Sequence, residues 1–348
     1  MTTVLITGGA GFFGDILIRR LLAEGFRCVS IDLEKSTLEH ANLINIQGDI
    51  RDRMLLEKTF SGQKFDAVYH LAAILAHAVK DKEFLWTSNV NGTRNIVAMA
   101  EKFAVPRVIF TSSNCLWGED FNRPIREDDT PKPVEIYGRS KWEAEKIIAA
   151  GTPGGQHFNW VTIRCPTIID EGRLGLLAIL FEFIDEGRKV WLVGGGDNRY
   201  QFIYAQDLVD ACLKALTYKK SAIFNIGSDN VKTLKEVYQY VIAKANTKAR
   251  VASLPRRITL LGMRLAYLLK MSPLGPYQYK MIASSFIFDT NKIKQELHWQ
   301  PTLTNEEMLA RAYGYYHQHR DDIHARTAVS AHRQAAKMGI IKLLKWLS

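Results

Sequence analysis

VLITGGAGFFG, residues 4–14, is the stretch whose reading decides the fold. Val4-Leu5-Ile6 is a short β-rich apolar run, and Thr7-Gly8-Gly9-Ala10-Gly11-Phe12-Phe13-Gly14 turns it directly into a helix. Glycines at 8, 11 and 14 permit a tight turn, close approach of backbone to a pyrophosphate, and close packing of helix on strand. The helix N-terminus then faces the phosphates with its unpaired N–H groups. A second strand over 28–31 ends at Asp32, 24 residues after Gly8. A carboxylate there binds an adenosine ribose 2′-hydroxyl and repels a 2′-phosphate, which favours NAD over NADP. A glycine-rich turn alone would be no more than a structural device. With strand, helix and acid in register, it predicts a dinucleotide site.

Outward from this turn, the first half alternates strands and helices. VLIT (4–7), CVSI (28–31), LINI (43–46), AVYHL (67–71) and VIFTS (108–112) read as strands, while 13–24, 52–60 and 81–104 carry apolar residues at helical spacing. A helix over about 135–150 and a strand at 160–164 continue the series, which predicts an α/β fold with a doubly wound parallel sheet. After residue 170 the pattern loosens: helix 175–187, strand 190–193, helix 207–217, strand 222–226, helix 232–245. The expected organisation is a nucleotide-binding core over 1–170 that some later elements rejoin, a substrate lobe mainly over 171–320, and a tail over 321–348.

The chain has 348 residues, 47% hydrophobic and 24% charged, which excludes low-complexity disorder and small disulfide scaffolds. No apolar run is long enough to span a bilayer, and no basic segment precedes the first apolar stretch as in a secretory signal. Cys28, Cys115, Cys165 and Cys212 lack metal-like spacing and read as free thiols of a reducing compartment, so a cytoplasmic location is expected and no metal site. The net charge of +10 is regional. Residues 237–288 hold eight bases and no acid, and residues 323–348 five bases and no acid; these stretches carry +13 and leave −3 for the rest. No nucleic-acid motif accompanies this basicity.

The candidate chemistry lies in Tyr137-Gly138-Arg139-Ser140-Lys141, which opens a helical segment and sets Tyr137 and Lys141 one turn apart on one face. A phenol of pKa near 10 is a poor base at neutral pH unless an ammonium and an oxidised nicotinamide favour its phenolate. Such spacing also arises as a solvated surface pair. Ser113, just past the fifth strand, gives it a functional sense, because strand C-terminal ends face the cofactor crevice in such sheets.

From Thr3 to about residue 318 the chain resembles an extended short-chain dehydrogenase/reductase of the NAD-dependent epimerase/dehydratase group. The resemblance runs through TGGAGFFG, Asp32, Gly48-Asp49-Ile50, His70-Leu71-Ala72-Ala73, Asn89-Val90-Asn91-Gly92-Thr93, Thr111-Ser112-Ser113 and the Tyr137/Lys141 pair. It continues in Arg164-Cys165-Pro166, the 194–207 stretch and Leu297-His298-Trp299-Gln300-Pro301. It implies a Rossmann-type core with a smaller C-terminal substrate lobe, and Gly8, Gly11, Phe12, Phe13, Gly14, Asp32, Leu71, Asn89, Thr111 and Pro166 at the cofactor. By the same resemblance Asp49 and Ile50 meet the adenine, and Ala72 and Ala73 line the cofactor. Tyr137 is the acid/base, Lys141 holds the nicotinamide ribose, and Ser113 binds the reacting oxygen. Ile74, His77, Asn114, Thr167 and Arg199 are candidate substrate contacts. His77, in a loop that could face substrate, reads more readily as a solvated side chain, and His70 and Asn95 as packing or satisfied polar groups. A homodimer through the helices of 81–104 and 135–150 is implied as well.

Three reactions share this scaffold. A 4,6-dehydratase of the family carries an Asp-Glu pair directly after the strand-five hydroxyl; Asn114 and Cys115 stand there, so dehydration is disfavoured. The remaining readings are an epimerase acting on a nucleotide- or lipid-linked sugar, which recycles its NAD, and a dehydrogenase for an apolar alcohol or ketone, which exchanges it. The Tyr-Gly-x-Ser-Lys form and Asn-Val-Asn-Gly-Thr favour the epimerase. Residues 164–172 resemble 3β-hydroxysteroid-dehydrogenase-like members. Where many sugar-nucleotide epimerases place a pyrophosphate-gripping arginine, this chain has Tyr200, with Arg199 adjacent. Segments 255–271 and 339–347 alternate bases with apolar residues: docking on the domain or on a second subunit is expected for the first, while the tail reads as either docked or peripheral at an anionic membrane.

Overall fold

The computed structural model describes residues 1–75, 81–152, 158–269 and 281–325. Its strands are β1 (Thr3–Thr7), β2 (Arg27–Asp32), β3 (Leu43–Gln47), β4 (Ala67–His70), β5 (Arg107–Ser113) and β6 (Asn159–Cys165), followed by β7 (Thr167–Ile169), β8 (Lys189–Val193), β9 (Phe202–Tyr204), β10 (Ala222–Asn225) and β11 (Arg250–Leu254). Seven form one sheet in the order β10-β6-β5-β4-β1-β2-β3, and every pairing is parallel. Two small parallel pairs, β8–β11 and β7–β9, stand apart from it.

β1 shows why the sheet is covered on both faces. Its side chains alternate, so Val4 and Ile6 enter one apolar cluster and Leu5 the other, all fully buried. The first cluster includes Leu17 and Leu21 of α1 (Phe12–Ala23) and Leu208 and Ala211 of α7 (Ala205–Thr217). The other includes Leu56 of α2 (Arg53–Ser61), Ile96 and Val97 of α4 (Gly92–Lys102), and Ala144 and Ile148 of α5 (Ile136–Ala150). A further core, with Phe181, Val237 and Tyr316, packs α6 (Leu177–Asp185), α8 (Leu234–Ala245) and the helix Asn305–Gln318 around β8. Elements from beyond residue 170 return to the large sheet: β10 pairs with β6, and α7 packs on α1.

Two features depart from the sequence pattern. The helix expected over 81–104 is divided into α3 (Lys82–Trp86), a π-helical turn Thr87–Asn91, and α4. A π-turn adds one residue without interrupting the helix, so apolar spacing does not disclose it. Segment 255–271 does not dock its apolar side on its own domain: α9 (Arg256–Leu268) leaves Ile258, Leu261, Leu265 and Leu268 exposed, because Ala266 and the half-buried Met263 on the opposite side face the protein instead. His77 and the tail 326–348 lie outside the described residues. Among the described residues no helix is long and apolar enough to cross a membrane, no disulfide forms, and no His, Cys, Asp or Glu group is arranged to hold a metal ion.

Candidate active site

A cleft of about 770 Å3 begins at the β1–α1 turn and runs along the C-terminal ends of the sheet strands into the second lobe. At its start Gly8 holds φ +78°, where an L side chain is strained, and a Cβ would come within 2.8 Å of Ala72 backbone. The turn therefore presses against the chain leaving β4. Asp32 closes the other side: its carboxylate accepts N–H bonds from Ala10 (2.9 Å) and Glu34 (3.0 Å), which fixes it at the end of β2. Asp49, next along the wall, is turned partly inward to Arg51. Burial would raise its pKa, but the Arg51 hydrogen bonds and charge outweigh that and hold it below the usual range.

At the cleft's centre α5 brings in Tyr137 and Lys141. Its first turn approaches the loop after β5 because residue 138 is glycine: a Cβ there would stand 2.1 Å from the Cys115 carbonyl oxygen. Tyr137 thereby hydrogen-bonds with Ser113. Burial pushes the Tyr137 phenol up, as do Cys115 and Cys165, while Ser113 and Arg173 oppose the rise. Burial pulls the Lys141 ammonium down to about 8. Its Nζ lies 4.0 Å from the centre of the Phe110 ring. Lys141 thus sits close to its titration range near neutral pH, whereas Tyr137 stays a phenol until a ligand's charge favours its phenolate.

Asn89, buried in the π-helical turn, braces this arrangement. Its amide donates to the Ile74 carbonyl (3.0 Å) and the Ser140 hydroxyl (3.0 Å), and its oxygen accepts from the Ile74 N–H (2.7 Å). Ser140 in turn donates to the Tyr137 carbonyl (2.8 Å). The loop after β4 and the first turn of α5 are therefore joined through one side chain.

His70 is a satisfied core group, as its pattern suggested. It is fully buried, with Nδ1 2.7 Å from Thr7 Oγ1 and Nε2 2.8 Å from Thr93 Oγ1. Thr93 donates its own proton to the Asn89 carbonyl, so it accepts from Nε2–H, and Nδ1 accepts from Thr7. Burial, helped by the Lys141 charge, pulls this imidazole down to about 3. Asn95 donates to the Ile50 and Arg51 carbonyls, a structural contact.

All the residues expected at the cofactor line this one cleft, together with Ser113, Tyr137 and Lys141 and the substrate candidates Ile74, Asn114 and Thr167. Arg199 does not: it is exposed and outside the cleft, because its neighbour Tyr200 takes the inward position, where the Asn114 amide donates to the Tyr200 phenol at 2.7 Å. The sequence reading missed Arg173. Its guanidinium lies in the cleft wall, 5.6 Å from the Phe12 ring centre and in charge contact with Tyr137. Among the described residues its side chain has no hydrogen-bond or carboxylate partner, and burial pulls it down to about 10. No local signal marks it, since a lone arginine after a strand is ordinary.

The glycine turn at a helix N-terminus, the Asp32 carboxylate and the volume of the cleft fit NAD. The family described as "NAD dependent epimerase/dehydratase family" matches residues 4–227. A Sinorhizobium fredii (strain NGR234) protein described as uncharacterized protein y4nG is 34% identical over 99% of this chain and 86% of its own length. The N-acetyl-alpha-D-glucosaminyl-diphospho-ditrans,octacis-undecaprenol 4-epimerase of Escherichia coli O157:H7 is 28% identical over 92% of this chain and 97% of its own. The Thermotoga maritima UDP-glucose 4-epimerase, solved with UDP-glucose, shares the fold with a TM-score of 0.75 at 23% identity, covering 91% of this chain and 99% of that one. With the sheet, the glycine turn and the match over most of the chain in agreement, this protein belongs to the NAD-dependent epimerase/dehydratase family and is an NAD-using enzyme of the extended short-chain dehydrogenase/reductase type.

Proposed function

We propose that this enzyme is a sugar epimerase that oxidises a carbinol of a nucleotide- or lipid-linked sugar to a ketone and reduces it again on the other face. The observation that carries the reading is the Ser113–Tyr137–Lys141 group beside the NAD cleft, followed by Asn114 and Cys115 where a dehydratase needs carboxylates. When bound, NAD supplies the hydride acceptor and donor and a positive ring charge. Tyr137 Oη takes the proton of the reacting hydroxyl and later returns it. Ser113 Oγ holds the same oxygen, Arg173 supplies positive charge that favours the phenolate, and Lys141 Nζ would hold the nicotinamide ribose. Arg173, with no hydrogen-bond or carboxylate partner among the described residues, is placed to hold an anionic group of the ligand. Gly8 and Gly11 bring backbone to the pyrophosphate, and Asp32 takes the adenosine ribose.

The apolar far wall, with Leu176, Leu180, Trp191, Leu254 and Met263, favours a substrate with an apolar portion. That suits a lipid-linked sugar, the class named for the Escherichia coli relative, and it equally suits an apolar alcohol, which keeps a dehydrogenase as the second reading. Helices α4 and α5 pack together and offer the face of a homodimer, which light scattering would register.

The test is to purify the protein without added nucleotide, denature it and measure the NAD released, then follow diphospho-linked hexoses by NMR. Near-stoichiometric NAD with formation of an epimer supports the epimerase, and Tyr137→Phe should lower its turnover by about 10²–10⁴ while retaining NAD. An exchanging cofactor, with net reduction of added NAD by an apolar alcohol, would establish the dehydrogenase instead.

A further inference from the structure

The outer side of α9 is an exposed apolar strip among the described residues. Ile258 is 73% exposed, Leu261 69%, Leu265 57%, Leu268 67% and Leu269 60%. At 3.6 residues per turn these five positions fall within an arc of about 100°, and Arg257 and Arg264, both exposed, border it. The inner side is different: Ala266 is buried, and Met263 lines the cleft together with Leu254 just before the helix. One element therefore has the active-site cleft on one side and an uncovered apolar strip on the other.

Charge selects the occupant. The helix carries no acid, and neither does the sequence from 237 to 288, against eight bases. A second copy docked on this strip about a twofold axis would set the same arginines against each other. The chain's own residues 326–348 are equally unsuited, with five bases and no acid. An anionic surface that also accepts leucines fits both properties, and basic amphipathic helices lie in membrane interfaces for this reason. We propose that α9 is an interfacial helix: it seats Ile258, Leu261, Leu265 and Leu268 in the outer layer of an anionic lipid bilayer, and thereby holds the apolar wall of the cleft next to the membrane. The proposal concerns attachment and stands apart from which reaction the site performs.

The experiment is co-sedimentation of the full-length protein with vesicles of phosphatidylcholine, with and without phosphatidylglycerol. Wild-type protein should sediment with the phosphatidylglycerol vesicles, remain in solution with phosphatidylcholine alone, and be released by high salt. The double substitution Leu261→Glu/Leu265→Glu lies at exposed positions, so it should keep its unfolding midpoint and bound NAD while losing about tenfold or more in vesicle binding. Wild-type protein that ignores phosphatidylglycerol vesicles would overturn the proposal. So would undiminished binding by the folded double variant, which would move the contact to other residues such as 326–348. A double variant that changes from dimer to monomer, with no vesicle binding by wild type, would assign the strip to a second copy.

Discussion

His70, fully buried, and Arg173, half-buried in the cleft wall, are titratable groups with opposite surroundings. His70 has a hydroxyl on each ring nitrogen and stays neutral. Its folded pKa of about 3 lies below the ordinary 6.5, so the unfolded chain binds more protons between those values. Its neutral burial therefore supports the fold above about pH 6.5, and that support is lost as pH falls toward 3. Urea unfolding at pH 6.5 and 4.5 should show wild type losing about 2–3 kcal/mol more than His70→Gln over that interval. Equal losses would mean His70 does not titrate as its surroundings dictate. Among the described residues Arg173 has no hydrogen-bond or carboxylate partner, and Arg173→Leu should raise KM for a diphospho-linked sugar tenfold or more, with Arg173→Lys in between. A fall in co-purified NAD instead, at unchanged KM, would assign its anion to the cofactor. His70 could be read from sequence as a packing group because it lies within the apolar strand run 67–71. Arg173 could not, since its place in the cleft depends on how the chain turns between β7 and α6.

The helix α5 is held to the sheet by charge as well as by apolar packing. Glu145, one turn past Lys141, takes Nε and Nη2 of Arg164 on β6, at 3.0 and 2.8 Å. The third arm of that guanidinium reaches the Glu127 carbonyl at 2.8 Å. Both side chains are at most 5% exposed. Glu145→Gln strands a buried guanidinium, and the cost should be about 3–5 kcal/mol in urea unfolding, with turnover falling because Lys141 shares the helix. A loss below about 1 kcal/mol would show that water reaches Arg164. The motif residues of α5 were plain in the sequence; its brace was not, because Arg164 and Glu145 are 19 positions apart and meet only through sheet geometry. The π-helical turn escaped for a related reason. Apolar periodicity reports which face is buried, and inserting one residue at Thr87–Asn91 shifts that face by too little to read. Strands of three residues, such as β7 and β9, are likewise too short to show alternation.

For the whole molecule, the glycine turn, Asp32 and the alternation of strands were enough to specify a parallel sheet and where its ligand edge lies. The second lobe was harder, because its core draws on segments from 169 to 323 whose patterns carry no shared period. The strand order itself has a consequence for how the chain reaches this state. β1 pairs at Val4 with Cys28 on one side and Ala67 on the other, while β6 waits for Ala222 to complete its outer edge at Val161. Each pairing closes a loop of tens of residues before any hydrogen bond repays the entropy, so folding is governed by long-range encounters and is slow compared with helical proteins of similar stability. During synthesis the first strand leaves the ribosome early but has no inner neighbour until residue 67 follows, and the strand at the far edge is absent until residue 222. For that interval the nascent chain displays unpaired, apolar strand edges, the surfaces on which chaperones act and from which aggregates start.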